Sequence, residues 1–313
     1  MNELSFTVLG PSGCGKTTLL ACMNEYFRKL LPGFEAGDPE TFRRLGEAYA
    51  NLQAEAEDNG RELIFSGGIK STDMEQEYKF VLKDLRFRFY DFPGEWLNTG
   101  DADKALNFEE ISGKAGSSSV IFAVINSPYL MQYDGKYRDY AGINEMEYVI
   151  ENSLTHDDND KLILLVPVKC EKYLASENDT ALLAEAVKES FARTIELAGS
   201  SSPYFGRMAV ALLPVKTMGN VHLSRFEVRN GEPVQVYRRI TGQPFMPENT
   251  DQPLRYAMSF MLEQYRRNRT LFGKLFGYNT EETLTSIREG MTYFAGSEII
   301  AGSDLLGVWD ETE

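Results

Sequence analysis

Cysteine and histidine are scarce in this chain, which has three cysteines and two histidines among its 313 residues. Cys14, Cys22 and Cys170 are odd in number and lack the paired spacing of a zinc site, so we interpret them as reduced thiols of a cytosolic protein. His156 and His222 are isolated, and an ordinary structural role is the simpler interpretation of each. The sequence therefore predicts no metal centre built from cysteine or histidine.

Basic residues are also outnumbered, with 32 Lys and Arg against 47 Asp and Glu and a formal net charge of −15. This balance argues against a surface for direct nucleic-acid or anionic-membrane binding, and solubility is its simpler explanation. No apolar run reaches the roughly 20 residues of a membrane-spanning helix. A glycine-rich motif begins at residue 10, which we take to leave no room for a signal peptide. We expect a cytoplasmic protein without a transmembrane segment.

That motif, GPSGCGKTT at residues 10–18, matches the phosphate-loop pattern G-x-x-x-x-G-K-[ST]. Its glycines permit backbone angles that let the main chain close around a phosphate. Lys16 would supply positive charge, and the Thr17 hydroxyl would bind Mg²⁺. The residues predicted to bind the nucleotide here are Gly10, Pro11, Ser12, Gly13, Cys14, Gly15, Lys16, Thr17 and Thr18.

The context of the motif supports this interpretation over a glycine-rich turn without a ligand. A β-prone run at residues 5–9 precedes it, and apolar residues at helical spacing follow it through residue 31. When a strand is followed by a glycine loop and then by a helix, the N-terminus of the helix points at the bound phosphate.

The next part of the chain mixes one helical pattern with two strand patterns. Residues 38–58 carry apolar side chains on one helical face and predict an amphipathic helix. Residues 65–73 form a polar loop by composition. The β-prone runs at 75–82 and 85–90 predict two strands joined by a tight turn, and a second polar loop covers 91–104.

Continuous apolar runs then alternate with a helical segment. The runs at residues 118–125, 161–168 and 208–215 are typical of strands buried on both faces of a parallel sheet. Residues 178–197 carry an apolar stripe that predicts a helix. This alternation predicts an α/β fold with a doubly wound, mainly parallel sheet.

The C-terminal part predicts a hairpin followed by helices. Asn230-Gly231 lies between β-prone runs within residues 223–240, and helical patterns cover 251–268 and 280–294. The last residues give no clear assignment. We assign residues 1–220 to a nucleotide-binding domain with an insert at about 32–64, and residues 221–313 to an extension packed on the same domain.

A second motif, Asp91-Phe92-Pro93-Gly94, ends the strand at 85–90. A carboxylate at a strand's carboxyl end can hold Mg²⁺ through water, and a following glycine can offer its N–H to a γ-phosphate. Thr72, which we prefer over Ser71, would complete the Mg²⁺ ligands from the loop before the two strands. The alternative for Thr72 is a loop hydroxyl or a helix cap.

The ordered segments GPSGCGKT, STD, DFPGE, VKCE and PVKT resemble the five motifs of Ras-like, TRAFAC-class P-loop GTPases over about the first 220 residues. The insert, the altered VKCE and the long tail resemble the bacterial double-GTPase group linked to multicomponent or conflict systems. The resemblance implies a GTP-binding molecular switch that needs Mg²⁺ and acts on a protein partner. It leaves the oligomeric state open.

The resemblance also implies roles for individual residues. Lys16, Thr72, Gly94 and Glu95 would serve catalysis, with Thr72 and Gly94 sensing the γ-phosphate. Glu95 takes the place of the usual water-orienting Gln. A carboxylate there repels the charge on the γ-phosphoryl oxygens, so slow intrinsic hydrolysis is expected. Thr17, Thr72 and Asp91 would hold the metal.

Base recognition is assigned by the same resemblance to the loops after two later strands. At Lys169-Cys170-Glu171 the family carries [NT]-K-x-D, where the lysine stem covers the purine and the carboxylate accepts hydrogen bonds from guanine. Here Val168 replaces the Asn or Thr and Glu171 the Asp, and a charged pair that merely ends a strand is the alternative. The family's last loop corresponds to Val215, Lys216 and Thr217.

Two other functions stay open. An ABC-type ATPase has a similar phosphate loop, and residues 65–68 (FSGG) imitate its signature, but they precede two strands, and Phe92 replaces the glutamate expected after Asp91. A scaffold that binds nucleotide without hydrolysing it is the second alternative, because of Glu95. Separately, the hairpin arginines 225, 229, 238 and 239 suggest docking of an acidic partner, although solvated arginines are the simpler interpretation.

Overall fold

The computed structural model describes residues 3–57, 62–64, 75–83, 85–97, 102–132, 136–156, 159–267 and 280–307. The described strands are β1 (Glu3–Leu9), β2 (Phe34–Ala36), β3 (Glu62–Ile64), β4 (Gln76–Leu82), β5 (Leu85–Asp91), β6 (Val120–Asn126), β7 (Lys161–Val168), β8 (Met208–Leu212), β9 (Val221–Arg229), β10 (Glu232–Arg239) and β11 (Glu298–Ala301). The described helices are α1 (Lys16–Leu30), α2 (Pro39–Glu57), α3 (Ala102–Ser117), α4 (Ser127–Met131), α5 (Ile143–His156), α6 (Glu177–Ser190), α7 (Ala192–Ala198), α8 (Gln252–Arg267) and α9 (Thr280–Arg288).

Eight strands form the central sheet in the order β11-β8-β7-β6-β1-β5-β4-β2. The five strands from β8 to β5 run parallel, and β11, β4 and β2 join the edges antiparallel. This mostly parallel α/β sheet confirms the predicted fold class. Its parallel strands β6 and β7 are buried along their whole length, as their continuous apolar sequences predict.

The two faces of the central sheet carry separate hydrophobic cores. Phe6 and Val8 of β1 point into one core, where the Phe6 and Phe89 rings lie 4.9 Å apart, and Leu9 points into the other. This alternation of side chains follows from the two-residue period of a strand.

A second sheet joins the predicted insert to the C-terminal part of the chain. Its order is β3-β10-β9, and Ile64 of β3 pairs with Val236 of β10. β9 and β10 form the predicted hairpin around Asn230-Gly231, where both residues have positive φ, 52° and 86°. We call β9 and β10 the C-terminal hairpin. The domain boundary at residue 220 stays a prediction.

Several predicted boundaries differ from the structure. The predicted loop at 91–104 contains a 3-10 turn, Gly94–Leu97, and overlaps the start of α3. The predicted helix at 178–197 is broken at Phe191, whose ψ of 26° ends α6 before α7 begins. The predicted strand at 208–215 ends at Leu212, before Pro214, and the predicted helix at 280–294 ends at Arg288, before Gly290.

Within the described residues, no helix is both long and apolar enough to cross a membrane.

Candidate nucleotide-binding site

The phosphate loop connects β1 to α1, and its glycines adopt backbone angles that side chains disfavour. Gly10, Gly13 and Gly15 have φ of 152°, 69° and 120°. A Cβ on Gly10 would also lie 2.7 Å from both the Cys14 sulfur and the Val124 carbonyl oxygen. Burial raises the pKa of the Cys14 thiol, so this side chain packs as a neutral group. Pro11 is likewise buried, whereas Ser12 and Gly13 are exposed.

Three polar side chains meet where β5 ends beside the phosphate loop. Lys16 is buried, and its Nζ donates to the carbonyl oxygen of Gly10 at 2.7 Å and lies 3.9 Å from Asp91 Oδ1. The Thr17 hydroxyl donates to Asp91 Oδ2 at 3.2 Å. Asp91 is fully buried, and this burial raises its pKa against the opposing effects of Lys16 and Thr17.

The arrangement of Thr17 and Asp91 fits a magnesium ion. Asp91 Oδ1 is buried without a hydrogen-bond partner, which leaves a carboxylate oxygen available for a cation or its bound water. Mg²⁺ prefers such oxygen ligands and usually takes others from phosphate and water. No group of three or more His, Cys, Asp or Glu among the described residues could hold a metal alone. Phosphate oxygens of a bound nucleotide would add to the ligands from Thr17 and Asp91.

Gly94 packs directly on the phosphate loop. A Cβ at this position would overlap the backbone of Pro11 and Ser12, so only glycine allows the approach. Glu95 follows in the same 3-10 turn and is exposed. Thr72, like the alternative Ser71, lies outside the described residues.

Lys169 and Glu171 follow β7 on the other side of the phosphate loop. Lys169 has φ of 59°, and its Nζ donates to the carbonyl oxygen of Gly13 at 3.0 Å. Burial lowers the pKa of Lys169 to about 8. Glu171 Oε1 accepts from the N–H groups of Met218 and Gly219 at 2.8 and 3.2 Å, while burial raises its pKa. The carboxylate is thus tied to the loop that follows Thr217.

The predicted base-contacting segment after β8 lies beside Glu171. The Val215 N–H donates to the Pro167 carbonyl at 2.8 Å, which continues the pairing with β7. Lys216 forms an ion pair with Glu248 at 2.8 Å and does not line the cavity described below. Thr217 is buried and contributes to the wall of the site.

One cavity of about 350 Å³ is lined both by the phosphate loop and by the segments predicted to contact the base. Of the predicted nucleotide-binding residues, its wall includes Ser12, Gly13, Gly15, Lys16, Thr17, Thr18, Lys169, Glu171 and Thr217, together with Gly94. The sequence did not identify the remaining wall, which comes mainly from α2 and the C-terminal hairpin and comprises Asn51, Leu52, Glu55, Tyr129, Met218, Val221, Pro233, Val234, Gln235 and Tyr237.

Three of the four hairpin arginines form ion pairs within the chain, with two glutamates between them. Arg225 and Arg238 pair with Glu62 of β3, at 2.7 and 3.4 Å, and Arg225 also pairs with Glu227. Arg229 pairs with Glu227 at 2.9 Å. These contacts favour the interpretation of the arginines as a stabilising surface network over a docking site for an acidic partner.

Comparison with solved structures gives matches at low sequence identity. No protein-family model and no curated protein matches the chain. A similar solved structure is the G domain of the T. maritima FeoB iron transporter, 11% identical over 68% of this chain and 87% of that one, with a TM-score of 0.29. Another is the S. cerevisiae Ski7 GTPase-like domain bound to GTP, 15% identical over 69% of this chain and 43% of that one, with a TM-score of 0.38. Similarity at this level establishes neither an activity nor a ligand.

Proposed function

We propose that this chain is a GTP-binding molecular switch that hydrolyses GTP slowly. The observation that carries the proposal is the single cavity in which Lys16 and Thr17 lie at one side and Lys169 and Glu171 at the other. Its volume suits a small ligand of nucleotide size. The same wall therefore offers groups for both ends of a nucleotide.

In this proposal the phosphates bind to the backbone of the glycine loop and to Lys16. The Lys16 ammonium would exchange its contact with the Gly10 carbonyl for the phosphate oxygens, which carry full negative charge. Thr17, Asp91 and Thr72 would hold Mg²⁺, which supplies charge neutralisation on the phosphates when bound. Gly94 would offer its N–H to the γ-phosphate.

Guanine recognition rests on Glu171. We expect the protein to bind GTP in preference to ATP, because a fixed carboxylate accepts from the N1–H and the 2-amino group, which guanine has and adenine lacks. Glu171→Ala should remove this preference. Glu171→Gln should also remove the preference for GTP, but it keeps an oxygen that can accept from the Met218 N–H. Comparison of the two variants therefore separates the role of Glu171 in base recognition from its role in supporting the loop.

Competition of ATP and GTP against labelled GDP measures this preference, with Glu298→Ala as the control because Glu298 pairs with Lys188 outside the cavity wall. Equal competition by the two nucleotides in the wild-type protein would favour the alternative of a P-loop ATPase or an unspecific nucleotide-binding scaffold.

Slow turnover is expected from Glu95. The side chain is exposed at the turn beside the phosphate loop, and its charge opposes the charge on a γ-phosphoryl group. Glu95→Gln should raise the single-turnover rate of GTP hydrolysis or leave it unchanged, with little effect on GTP affinity. Glu109→Gln removes an exposed carboxylate from α3 and serves as the control.

A rate for Glu95→Gln that is lower by about tenfold or more, or about 1.4 kcal/mol in activation free energy, would instead show that Glu95 is itself catalytic. If the wild-type protein binds GTP and shows no hydrolysis in a single turnover, the scaffold alternative is the better description.

The switch itself is proposed to act on a protein partner, through the loops that carry Thr72 and Gly94. The bacterial double-GTPase relationship and the cytoplasmic location stay predictions from the sequence.

A further inference from the structure

The C-terminal hairpin inserts a buried amide into the base side of the cavity. Gln235 of β10 lines the cavity, and its Oε1 accepts a hydrogen bond from Lys169 Nζ at 3.2 Å. Its Nε2 donates to Asn126 Oδ1 at 2.9 Å. The Tyr237 hydroxyl donates to the same Oε1 at 2.5 Å. Gln235 therefore connects the end of β6 with the lysine that follows β7.

This connection lies where the motif after β7 lacks an amide. Val168 occupies the position at which the resembled pattern has Asn or Thr, and its side chain is buried. Asn126 is the partner of Val168 in the register of β6 and β7. Asn126 and Gln235 thus supply, from the neighbouring strand and from the hairpin, hydrogen-bonding groups that Val168 cannot provide.

The ammonium of Lys169 depends on these acceptors. Gly13 and Gln235 supply its two described hydrogen bonds, one from the phosphate loop and one from the hairpin. Burial lowers the pKa of Lys169 to about 8, which shows that the surroundings disfavour its charge. Loss of the Gln235 oxygen would leave the Gly13 carbonyl as the only described acceptor for this ammonium.

We propose that Gln235 is a positioning residue for base recognition, which holds Lys169 where its stem covers the bound base. The C-terminal hairpin is then part of the nucleotide site. The inference rests on the proposed function, because it assigns the base to the side of the cavity that Lys169 forms.

The test measures the affinity of four proteins for fluorescently labelled GDP: wild type, Gln235→Leu, Lys169→Met and the double variant. Gln235→Leu should weaken binding about tenfold, as expected for a lost hydrogen bond to a charged group. The double variant should bind no more weakly than Lys169→Met alone, because Gln235 acts through Lys169. Gln235→Asn, whose amide is one methylene shorter, should weaken binding in the same way and covers the case in which the leucine variant fails to fold.

Inorganic tripolyphosphate distinguishes this role from general support of the fold. Its affinity, measured by displacement of labelled GDP from each protein and corrected for that protein's GDP affinity, should be unchanged by Gln235→Leu, because it has no base. Arg225→Ala is the control for the hairpin, since it breaks the exposed ion pair with Glu62 without touching Lys169. It should leave both affinities unchanged.

Equal weakening of GDP and tripolyphosphate binding by Gln235→Leu would overturn the inference, because the residue would then support the whole site. Additive losses in the double variant would overturn it as well. If Lys169→Met has no effect on GDP affinity, the base assignment in the proposed function fails. If Lys169→Met weakens GDP binding but both Gln235 variants do not, only the role of Gln235 fails.

Discussion

Replacing Lys16 with alanine is expected to weaken GTP binding by about tenfold or more, or about 1.4 kcal/mol. Lys16 lies buried against Gly10 and Asp91, at the base of the loop that would surround the phosphates. On nucleotide binding its ammonium would exchange the Gly10 carbonyl oxygen for charged phosphate oxygens, which form the stronger hydrogen bonds. Titration with fluorescent GTP and Mg²⁺ measures the effect.

Lys188→Ala is the matched control, because it removes a lysine whose partner, Glu298, lies outside the cavity wall. Lys16→Ala also leaves the buried Asp91 without its nearby cation, so a thermal melt should show whether the variant folds. Thr17→Ala keeps the Lys16 ammonium beside Asp91 and should also weaken the Mg²⁺-dependent binding of GTP. Wild-type affinity in both folded variants would refute the phosphate-site assignment.

The contacts between the phosphate loop and the end of β5 follow from local sequence and sheet topology. β1 and β5 are parallel neighbours in which Val8 pairs with Asp91, so the segments after their carboxyl ends must meet. A glycine loop after one strand and an aspartate at the end of the other therefore predict the contact between Thr17 and Asp91, although 74 residues separate them. The order of the motifs along the chain was sufficient to predict this contact, because a parallel sheet places the carboxyl ends of its strands at one edge.

The rest of the cavity wall depends on tertiary packing that no local pattern encodes. The hairpin was predictable from Asn230-Gly231, but that signal does not say which face of β10 meets Lys169. Gln235 was missed for this reason. Its contact with Asn126 spans 109 positions, and both residues are ordinary amides in sequence. The sequence showed that Val168 replaces the Asn or Thr of the resembled pattern, but it did not show which residue supplies an amide in its place.

Errors in element boundaries also have physical causes. Leu183, Val187 and Phe191 keep one apolar spacing and are all buried, so periodicity continues into the break after α6. The break changes the backbone angles of Phe191 without changing which side chains face the core. β11 was missed because four half-buried residues form an edge strand that only its pairing with β8 defines.

Gly94→Ala is expected to reduce GTP hydrolysis in a single turnover by about tenfold or more, or about 1.4 kcal/mol in activation free energy. The added methyl group would overlap the backbone of Pro11 and Ser12. Because the obstacle is backbone rather than a movable side chain, the turn at Gly94–Leu97 must move away from the phosphate loop. That shift would separate the Gly94 N–H from the site proposed for the γ-phosphate.

GDP binding separates this effect from misfolding. GDP lacks the γ-phosphate, so its affinity for Gly94→Ala should change much less than the hydrolysis rate. The control is Gly113→Ala on α3, where a Cβ would meet nothing within 4 Å, and alanine is the better helix former. It should hydrolyse GTP at the wild-type rate. If Gly94→Ala also does so while binding GTP normally, the close packing of Gly94 on Ser12 is not needed for the reaction, and the role proposed for its N–H is wrong.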